Sequence, residues 1–276
     1  MKHSQDTIHV LNHSITHLFK EAVRISLKNP STALFMYRTM RRQKKAAKVR
    51  QIWKTRGVHV PSFIIASITN RCNLQCTGCF AQAHQRSLET EMSSDKLRSV
   101  LGEADELGIS MILLSGGEPL ARPEILDITA EFPGIIFPLF TNGLLFNENI
   151  IGKLKKQAHV IPVVSLEGDR ICTDNRRGQG VYEHVQKTIV EMKKHNLFFG
   201  TSLTVTRQNF ATVTNRDFIS DLIAKGSRLI FFVEYTPFQQ GTEDLVLTKA
   251  QREEEARIVA AFRSELPSLF FAFPGD

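Results

Sequence analysis

Short apolar runs alternate with longer, helix-patterned stretches from Pro61 onward. The runs begin near residues 63, 110, 135, 159, 198 and 228, and turn residues bound them, which is typical of β-strands. The stretches between and after them space their apolar residues as amphipathic helices do, at roughly 93–108, 123–132, 147–156, 180–195, 213–226 and 248–265. Strands that are apolar on both faces are typical of a parallel sheet covered by helices. The pattern predicts an α/β fold, a partial (β/α)6 barrel of parallel strands.

The residues before the first strand follow a helical pattern. Apolar side chains over 7–28 share one helical face, and the Asn29-Pro30 pair ends that helix. A second helix is predicted from Ser31 toward Arg56, where Gly57 ends it. The barrel is therefore preceded by a helical extension.

Three regions follow from these patterns. We predict a helical, basic N-terminal extension over 1–58, a core domain over 59–240, and a C-terminal helix and strand over 241–276. The sequence stops just after an apolar strand, in "LPSLFFAFPGD". We interpret 241–276 as the start of a further, truncated domain.

Composition narrows the class of protein. The chain has 276 residues, 42% apolar and 23% charged, as expected of a globular protein that buries a core. It contains no apolar run long enough for a membrane helix and no signal sequence, which predicts a cytoplasmic protein. The formal net charge is +7, yet nine Lys or Arg and no acid lie between Arg38 and Arg56, so the remainder has a charge of −2 (7 − 9). The remainder gives no firm nucleic-acid signal.

The basic segment 38–56 has three candidate roles. The first is a solvated helix that packs against the barrel. The second is peripheral contact with an anionic membrane surface, and the third is binding of a protein or nucleic-acid partner. The sequence leaves these alternatives open.

Three of the four cysteines, Cys72, Cys76 and Cys79, lie in a polar loop directly after the first predicted strand. In βα architectures that loop opens at the carboxyl end of the sheet, where active sites collect. Thiolates at this spacing favour zinc or an iron-sulfur cluster. Three interpretations remain: His84 completes a zinc site, Cys172 closes an electron-transfer cluster, or the three cysteines hold a 4Fe-4S cluster with one iron open.

The third interpretation gains support from a second motif. "LLSGGEPL" ends the second predicted strand and contains Gly116, Gly117, Glu118 and Pro119. Cys-x3-Cys-x2-Cys after a first strand, followed by Gly-Gly-Glu-Pro after a second, resembles the radical S-adenosylmethionine (radical SAM) superfamily. The resemblance covers roughly residues 61–240. It implies a 4Fe-4S cluster held by the three cysteines and S-adenosylmethionine bound at its open iron.

The resemblance also implies roles for the second motif. In those enzymes the Gly-Gly-Glu-Pro turn meets the methionyl amine of the cofactor. Gly116 and Gly117 would let the backbone come close, and Glu118 would be the anionic partner of the ammonium group, with Pro119 completing the turn.

Further cofactor contacts are implied at the later strand ends. Ser165 and Glu167, on one side of the fourth strand, match the position that binds ribose. Arg177 matches the arginine that meets the methionyl carboxylate, with Arg176 as the alternative. In "FTNG", Thr141 and Asn142 face the cofactor or support the sheet edge.

One position departs from the family pattern. Many members have an aromatic residue before the third cysteine that packs on the adenine, whereas Gly78 stands here and Phe80 follows the cysteine. We expect the backbone at Gly78, with Phe80, to replace that contact. Tyr235 lines the substrate side or packs as an ordinary aromatic, and Thr204 with Thr206 are interpreted as structural.

The resemblance implies an enzyme that cleaves S-adenosylmethionine reductively to a 5'-deoxyadenosyl radical, which abstracts hydrogen from a substrate. A low-potential donor such as flavodoxin or ferredoxin would be a partner. The substrate is a peptide, small molecule or lipid, and the chain fits a truncated member of the group with a C-terminal cysteine-rich (SPASM-like) domain. The alternative is a non-catalytic zinc or iron-sulfur regulatory protein on the same fold.

Overall fold

The computed structural model describes residues 30–83 and 91–273. Its centre is one sheet of parallel strands whose spatial order follows the sequence. The strands are β1 (Phe63–Ser67), β2 (Met111–Ser115), β3 (Phe137–Thr141), β4 (Val160–Leu166), β5 (Gly200–Val205), β6 (Leu229–Glu234) and β7 (Leu269–Phe273). The prediction of an α/β partial barrel is confirmed, and the sheet has seven strands where the sequence predicted six.

The seventh strand extends the sheet. β7 pairs with β6 in parallel from Leu229↔Leu269 to Val233↔Phe273. The sequence pattern had indicated this strand but placed it at the start of a further domain, because its place in the sheet depends on pairing 40 residues away. The division into domains remains a prediction.

Helices connect successive strands. The described helices are α1 (Pro30–Thr55), α2 (Phe80–Ala83), α3 (Ser94–Leu107), α4 (Ile125–Ala130), α5 (Glu148–Lys156), α6 (Arg170–Arg177), α7 (Val181–Lys194), α8 (Phe210–Val213), α9 (Arg216–Ala224) and α10 (Lys249–Glu265), with 3-10 turns at Pro119–Ala121 and Glu243–Leu245. The helix predicted over 7–28 lies outside the described residues. The sequence did not predict α6, because its charged and polar residues lack an apolar stripe.

The two faces of the sheet carry different layers. Apolar residues of the strands pack with those of the helices on the outer face, in two large buried clusters. A third cluster contains only strand residues and their immediate neighbours, so it fills the inner face. Phe231 is its centre, with ring centroids 4.5 Å from Phe271 and 5.1 Å from Phe140. We call these three phenylalanines the aromatic floor. They lie on the inner face of the sheet, below the strand ends that carry the predicted site residues.

Helix α1 lies against the chain segment that leads into the amino end of β2. Gln43 Nε2 donates to Ser110 O at 3.1 Å, and Arg50 donates to Gly108 O. Both acceptors immediately precede β2, so α1 lies at the end of the sheet opposite the cysteine loop. Within residues 30–83 and 91–273, none of the helices combines the length and the apolar character needed to cross a membrane.

Candidate functional site

The cysteine loop connects β1 to α2. Leu74 N donates to Cys72 Sγ at 3.5 Å, Cys79 N donates to Cys76 O at 3.2 Å, and Ala83 N donates to Cys79 O at 3.0 Å. All three cysteines are free thiols, and Cys72 is the most exposed. The loop thus turns at each cysteine and brings the three thiols to the carboxyl edge of the sheet.

Burial changes the acidity of two of these thiols. It raises the pKa of Cys72, and the nearby Glu118 carboxylate acts in the same direction. It also raises the pKa of Cys76, although the cations of Arg177 and Arg176 oppose the increase. Because the thiolate is the metal ligand, a bound cation would have to displace these protons.

Zinc and an iron-sulfur cluster differ in how closely their sulfur ligands lie. Sulfurs around tetrahedral zinc lie about 3.8 Å apart, given Zn–S bonds of about 2.3 Å. Among residues 30–83 and 91–273, the group of three potential ligands whose donor atoms all lie within 4.8 Å consists of Glu148, Glu191 and His195. Cys72, Cys76 and Cys79 do not form such a group, and the choice between zinc and a 4Fe-4S cluster at these cysteines stays a prediction. His84, the proposed fourth zinc ligand, lies outside the described residues.

Cys172, the other proposed fourth ligand, is on α6. Its Sγ is 4.0 Å from Thr212 Oγ1, and its backbone N–H is capped by Asp169 Oδ1 at 2.9 Å. Its described contacts are to these residues and not to the cysteine loop. A closed four-cysteine site therefore finds no support in the structure.

The two glycines of the second motif touch the stem of the cysteine loop. A Cβ on Gly116 would lie 2.4 Å from Thr69 O, and one on Gly117 would lie 2.1 Å from Arg71 O. Gly117 N donates to Thr69 O at 2.7 Å, and Glu118 N donates to Arg71 O at 2.7 Å. The glycines were predicted to admit the methionyl amine. The contacts described here are to protein backbone, and they join the β1 and β2 loops directly.

Glu118 is buried and joins two strand ends. Its Oε1 accepts from Leu120 N at 3.0 Å and Thr141 Oγ1 at 2.8 Å, and its Oε2 accepts from Asn142 N at 2.7 Å. Burial raises the pKa of Glu118, although these donors oppose the increase. Pro119 begins the following 3-10 turn. Since Oε2 accepts one bond, it retains capacity for another donor.

Asn142 links β3 to the cysteine loop. Its side-chain Nδ2 donates to Asn73 Oδ1 at 2.7 Å and lies 4.0 Å from Cys72 Sγ. Its Oδ1 accepts from Leu144 N at 3.0 Å. These contacts are to the protein itself, and both alternatives for Asn142, a cofactor contact and support of the sheet edge, stay predictions.

Glu167 pairs with two arginines. Its Oε1 accepts from Arg176 Nη1 at 2.6 Å and from Arg177 Nε at 2.7 Å. Burial acts to lower the pKa of Arg177, but the Glu167 carboxylate outweighs it and the pKa is raised. Glu167 Oε2 and Arg176 Nε are buried without a hydrogen-bond partner in the described part of the chain. Each of these two buried atoms therefore retains the capacity for a further polar contact.

Neighbouring polar residues complete this side of the site. Arg176 Nη1 also donates to Thr204 Oγ1 at 3.2 Å, a contact compatible with the structural role expected of Thr204. Thr206 is structural, since its Oγ1 accepts from Asn209 N at 3.2 Å. Ser165 is half-buried on the inner side of β4, opposite Ser202 in the β-ladder.

Gly78 and Phe80 occupy different surroundings. Gly78 packs against Tyr235, and its N–H donates to Gln239 Oε1 at 3.2 Å. Phe80 is 48% exposed and its ring contacts Phe238 edge-on at 4.6 Å between centroids. The role predicted for them at the adenine remains a prediction.

Two buried residues of the site region were not singled out from the sequence. Arg122 donates to Ile68 O at 2.9 Å and so braces the residue that follows β1. Asn209 Nδ2 donates to Glu167 O at 2.9 Å and Thr204 O at 2.8 Å, which ties the ends of β4 and β5 together. For Asn209, the turn-forming residues from Thr206 to Asn209 were the feature of the sequence that could have indicated its role.

The fold and the site together define an α/β partial-barrel protein with three cysteines in one loop at the carboxyl ends of its strands. The family model of the radical SAM superfamily matches residues 66–214, and the chain belongs to that superfamily. Its members use a 4Fe-4S cluster and S-adenosylmethionine.

Relatives with known roles match part of the chain. An Fe-coproporphyrin III synthase from Methanosarcina barkeri is 30% identical over 149 residues, 53% of this chain and 37% of the relative. An AdoMet-dependent heme synthase from the same organism is 28% identical over 71% of this chain and 56% of its own length. Mycofactocin maturase MftC from Mycolicibacterium smegmatis is 24% identical over 72% of this chain and 52% of its own length. The chain therefore spans about half the length of the curated relatives it matches.

Solved structures share the fold. Streptococcus suis SuiB bound to S-adenosylmethionine aligns with a TM-score of 0.64 at 16% identity, over 83% of this chain and 51% of SuiB. Native anSMEcpe with bound AdoMet aligns with a TM-score of 0.60 at 17% identity, over 76% of this chain and 63% of anSMEcpe. At these identities the likeness concerns the fold alone.

Proposed function

We propose that this protein is an S-adenosylmethionine-cleaving enzyme. When bound, a 4Fe-4S cluster would supply the electron that cleaves S-adenosylmethionine to methionine and a 5'-deoxyadenosyl radical, which removes hydrogen from a substrate. The observation that carries the proposal is that Cys72 lies near the Glu118 carboxylate and Cys76 near the Arg176 and Arg177 cations, in one loop. A zwitterionic amino-acid group beside the cysteines would meet an anion and a cation in the same site.

The residues present fit these cofactors. Cys72, Cys76 and Cys79 would hold the cluster with one iron left for the cofactor. Glu118 Oε2 would accept from the methionyl ammonium through its remaining lone pair. Arg177 would bind the methionyl carboxylate, because its Nη1 forms no hydrogen bond within residues 30–83 and 91–273. The arginine keeps its charge at any working pH.

Glu167 would have two functions in this arrangement. Its Oε1 orients both arginines, and its unpaired Oε2 would accept a ribose hydroxyl, which removes the cost of a buried unsatisfied oxygen. Ser165 lies two residues before Glu167 on the same side of the strand and would make a second contact with a ribose hydroxyl. Asn142 would hold the cysteine loop in register and lie near the cofactor.

The reductant and the substrate are external to the described chain. Radical SAM enzymes need both, and we propose flavodoxin or ferredoxin as the donor. The exposed Ile65 on the inner side of β1 and the aromatic floor support a substrate with an apolar part. Peptides, small molecules and lipids all remain within that proposal. One relative is named an Fe-coproporphyrin III synthase, and SuiB has been solved bound to a precursor peptide. A cytoplasmic location remains a prediction.

The test is anaerobic reconstitution of the whole chain with iron and sulfide. We expect about four irons per chain, a reducible 4Fe-4S signal by electron paramagnetic resonance, and formation of 5'-deoxyadenosine with dithionite. Changing any of Cys72, Cys76 or Cys79 to Ala should abolish the signal. Cys172→Ala and His84→Ala are the matched controls and should retain it.

The alternative is a non-catalytic zinc or iron-sulfur regulatory protein. One zinc per chain, no cleavage of S-adenosylmethionine, and loss of metal in His84→Ala would together establish that alternative. The match of residues 66–214 to the radical SAM family model supports the enzyme instead.

A further inference from the structure

A row of basic side chains runs along the solvent face of α1. Arg41, Lys44, Lys45 and Lys48 are spaced i, i+3, i+4 and i+7, so they share one side of the helix, and all four are exposed. Within residues 30–83 and 91–273 none of them forms an ion pair. We name these four residues the basic stripe.

Exposed apolar side chains stand at both ends of the basic stripe. Tyr37 precedes Arg41 by one helical turn and is 59% exposed, and Ile52 follows Lys48 by one turn and is 53% exposed. The Arg41 guanidinium lies over the Tyr37 ring at 6.0 Å from its centroid. An isolated exposed apolar residue is ordinary, but two in line with four unpaired cations form a pattern.

The opposite face of α1 fixes the helix flat against the barrel. Gln43 and Arg50 donate to the backbone of Ser110 and Gly108, and a Cβ on Gly108 would lie 2.7 Å from Ala46 O. These contacts hold the basic stripe outward and parallel to the surface of the molecule. The basic stripe is therefore accessible along its whole length to a flat surface.

We propose that the basic stripe docks on an anionic lipid bilayer. Cations bind anionic headgroups while Tyr37 and Ile52 enter the interface between headgroups and acyl chains. The two apolar residues would find no partner on a phosphodiester backbone, and a helix packed along the body cannot enter a major groove. The bilayer satisfies both the charges and the apolar ends.

Docking through α1 would leave the cysteine loop free. α1 contacts the residues that precede β2, whereas the cysteines follow the carboxyl end of β1, so the bilayer and the site occupy opposite ends of the sheet. The same separation disfavours this stripe as the docking site of an electron donor, which must approach the cluster. Membrane docking is therefore independent of the proposed chemistry.

The experiment is cosedimentation of the whole chain with vesicles of phosphatidylcholine, with or without phosphatidylglycerol, at low and high salt. We expect binding to the anionic vesicles that weakens as salt screens the charges. Lys44→Glu, Lys45→Glu and Lys48→Glu combined should reduce affinity about tenfold or more. Tyr37→Ser with Ile52→Ser should reduce it about tenfold with every charge retained.

The matched control reverses three exposed lysines elsewhere, Lys155→Glu, Lys156→Glu and Lys187→Glu, with the same change in net charge. It should bind like wild type. The proposal is overturned by failure to bind anionic vesicles at low salt, by an equal loss in the control, or by tighter binding to a DNA duplex or to polyglutamate than to the vesicles. Thermal unfolding of each variant should match that of wild type, because the changed side chains are exposed.

Discussion

The hydroxyl of Tyr235 lies directly against the backbone of Gly78. A Cβ atom on Gly78 would be 2.4 Å from Tyr235 Oη, and Gly78 has φ +68°. Tyr235 is held in place by the hydrogen bond that its hydroxyl donates to Thr242 Oγ1 at 2.7 Å, and the Arg176 guanidinium lies 5.9 Å from its ring centroid. The loop between the second and third cysteines therefore has a fixed partner at the end of β6.

Gly78→Ala should destabilise the protein for two separable reasons. The left-handed backbone costs a side-chain-bearing residue about 1–2 kcal/mol, and the overlap with Tyr235 adds about 1–3 kcal/mol. In the double variant Gly78→Ala/Tyr235→Ala the overlap is gone, so its free energy of unfolding should exceed the value expected by adding the single changes. Urea unfolding of all four proteins measures this coupling.

The coupling should also appear in metal binding. Iron retained after reconstitution and desalting should fall in Gly78→Ala and partly recover in the double variant, because the cysteine loop regains its position. Strictly additive unfolding free energies would contradict direct contact between the two residues.

Gly117 and Gly152 form a second matched pair. A Cβ on Gly117 would lie 2.1 Å from Arg71 O, whereas one on Gly152, within α5, would have nothing within 4 Å. Gly117→Ala should lower the midpoint of thermal unfolding and expose the cysteines to faster alkylation. Gly152→Ala should stabilise the protein by about 0.5–1 kcal/mol, as Ala for Gly does in a helix interior. An unchanged midpoint in Gly117→Ala would show that the two loops do not touch.

The strands and most of the site positions were accessible from the sequence because they depend on local patterns. Apolar runs and turn residues located the strands, and the ends of parallel strands share one edge, so the motifs were expected to meet there. The cysteine loop and the Gly-Gly-Glu-Pro turn accordingly lie side by side, joined by Gly117 N to Thr69 O.

The contacts that set the role of each residue were not accessible in this way. Gly116 and Gly117 were assigned to the cofactor, although their tightest contacts are with Thr69 and Arg71, because no local pattern shows which backbone approaches a glycine. The ion pairs of Glu167 depend on α6, a helix without an apolar stripe to predict it. The place of Tyr235 depends on a partner far away in the chain, at Gly78.

Glu167→Gln should be strongly destabilising. It removes the charge that holds two nearly buried arginines, and breaking a buried ion pair by removing one partner costs about 3–5 kcal/mol. Glu183→Gln is the matched control, because Glu183 pairs with Arg170 on the surface, where such a pair contributes about 1 kcal/mol or less. Urea unfolding at pH 7 compares them, and equal losses would contradict the buried triad.

The raised pKa of Glu255 predicts how the stability of the protein depends on pH. Burial within the packed face of α10, followed by repulsion from Glu234, raises the pKa of Glu255 to about 7, although Arg252 opposes the increase. The folded protein therefore holds a proton on Glu255 at pH values where the unfolded chain, with a Glu pKa of about 4.3, has lost it. Because the unfolded state binds fewer protons in this range, stability should fall as pH rises from about 4.5 to about 7.

Glu255→Gln should remove this dependence, since the amide is neutral at every pH. Below about pH 4 the variant and wild type should unfold at nearly the same urea concentration, because the wild-type side chain is then largely protonated in both the folded and the unfolded state. At pH 8 the variant should be the more stable of the two. Glu254→Gln, at an exposed position on the same helix, should change neither value. A variant that is equally stabilised at both pH values would mean that packing, and not ionisation, determines the effect of Glu255.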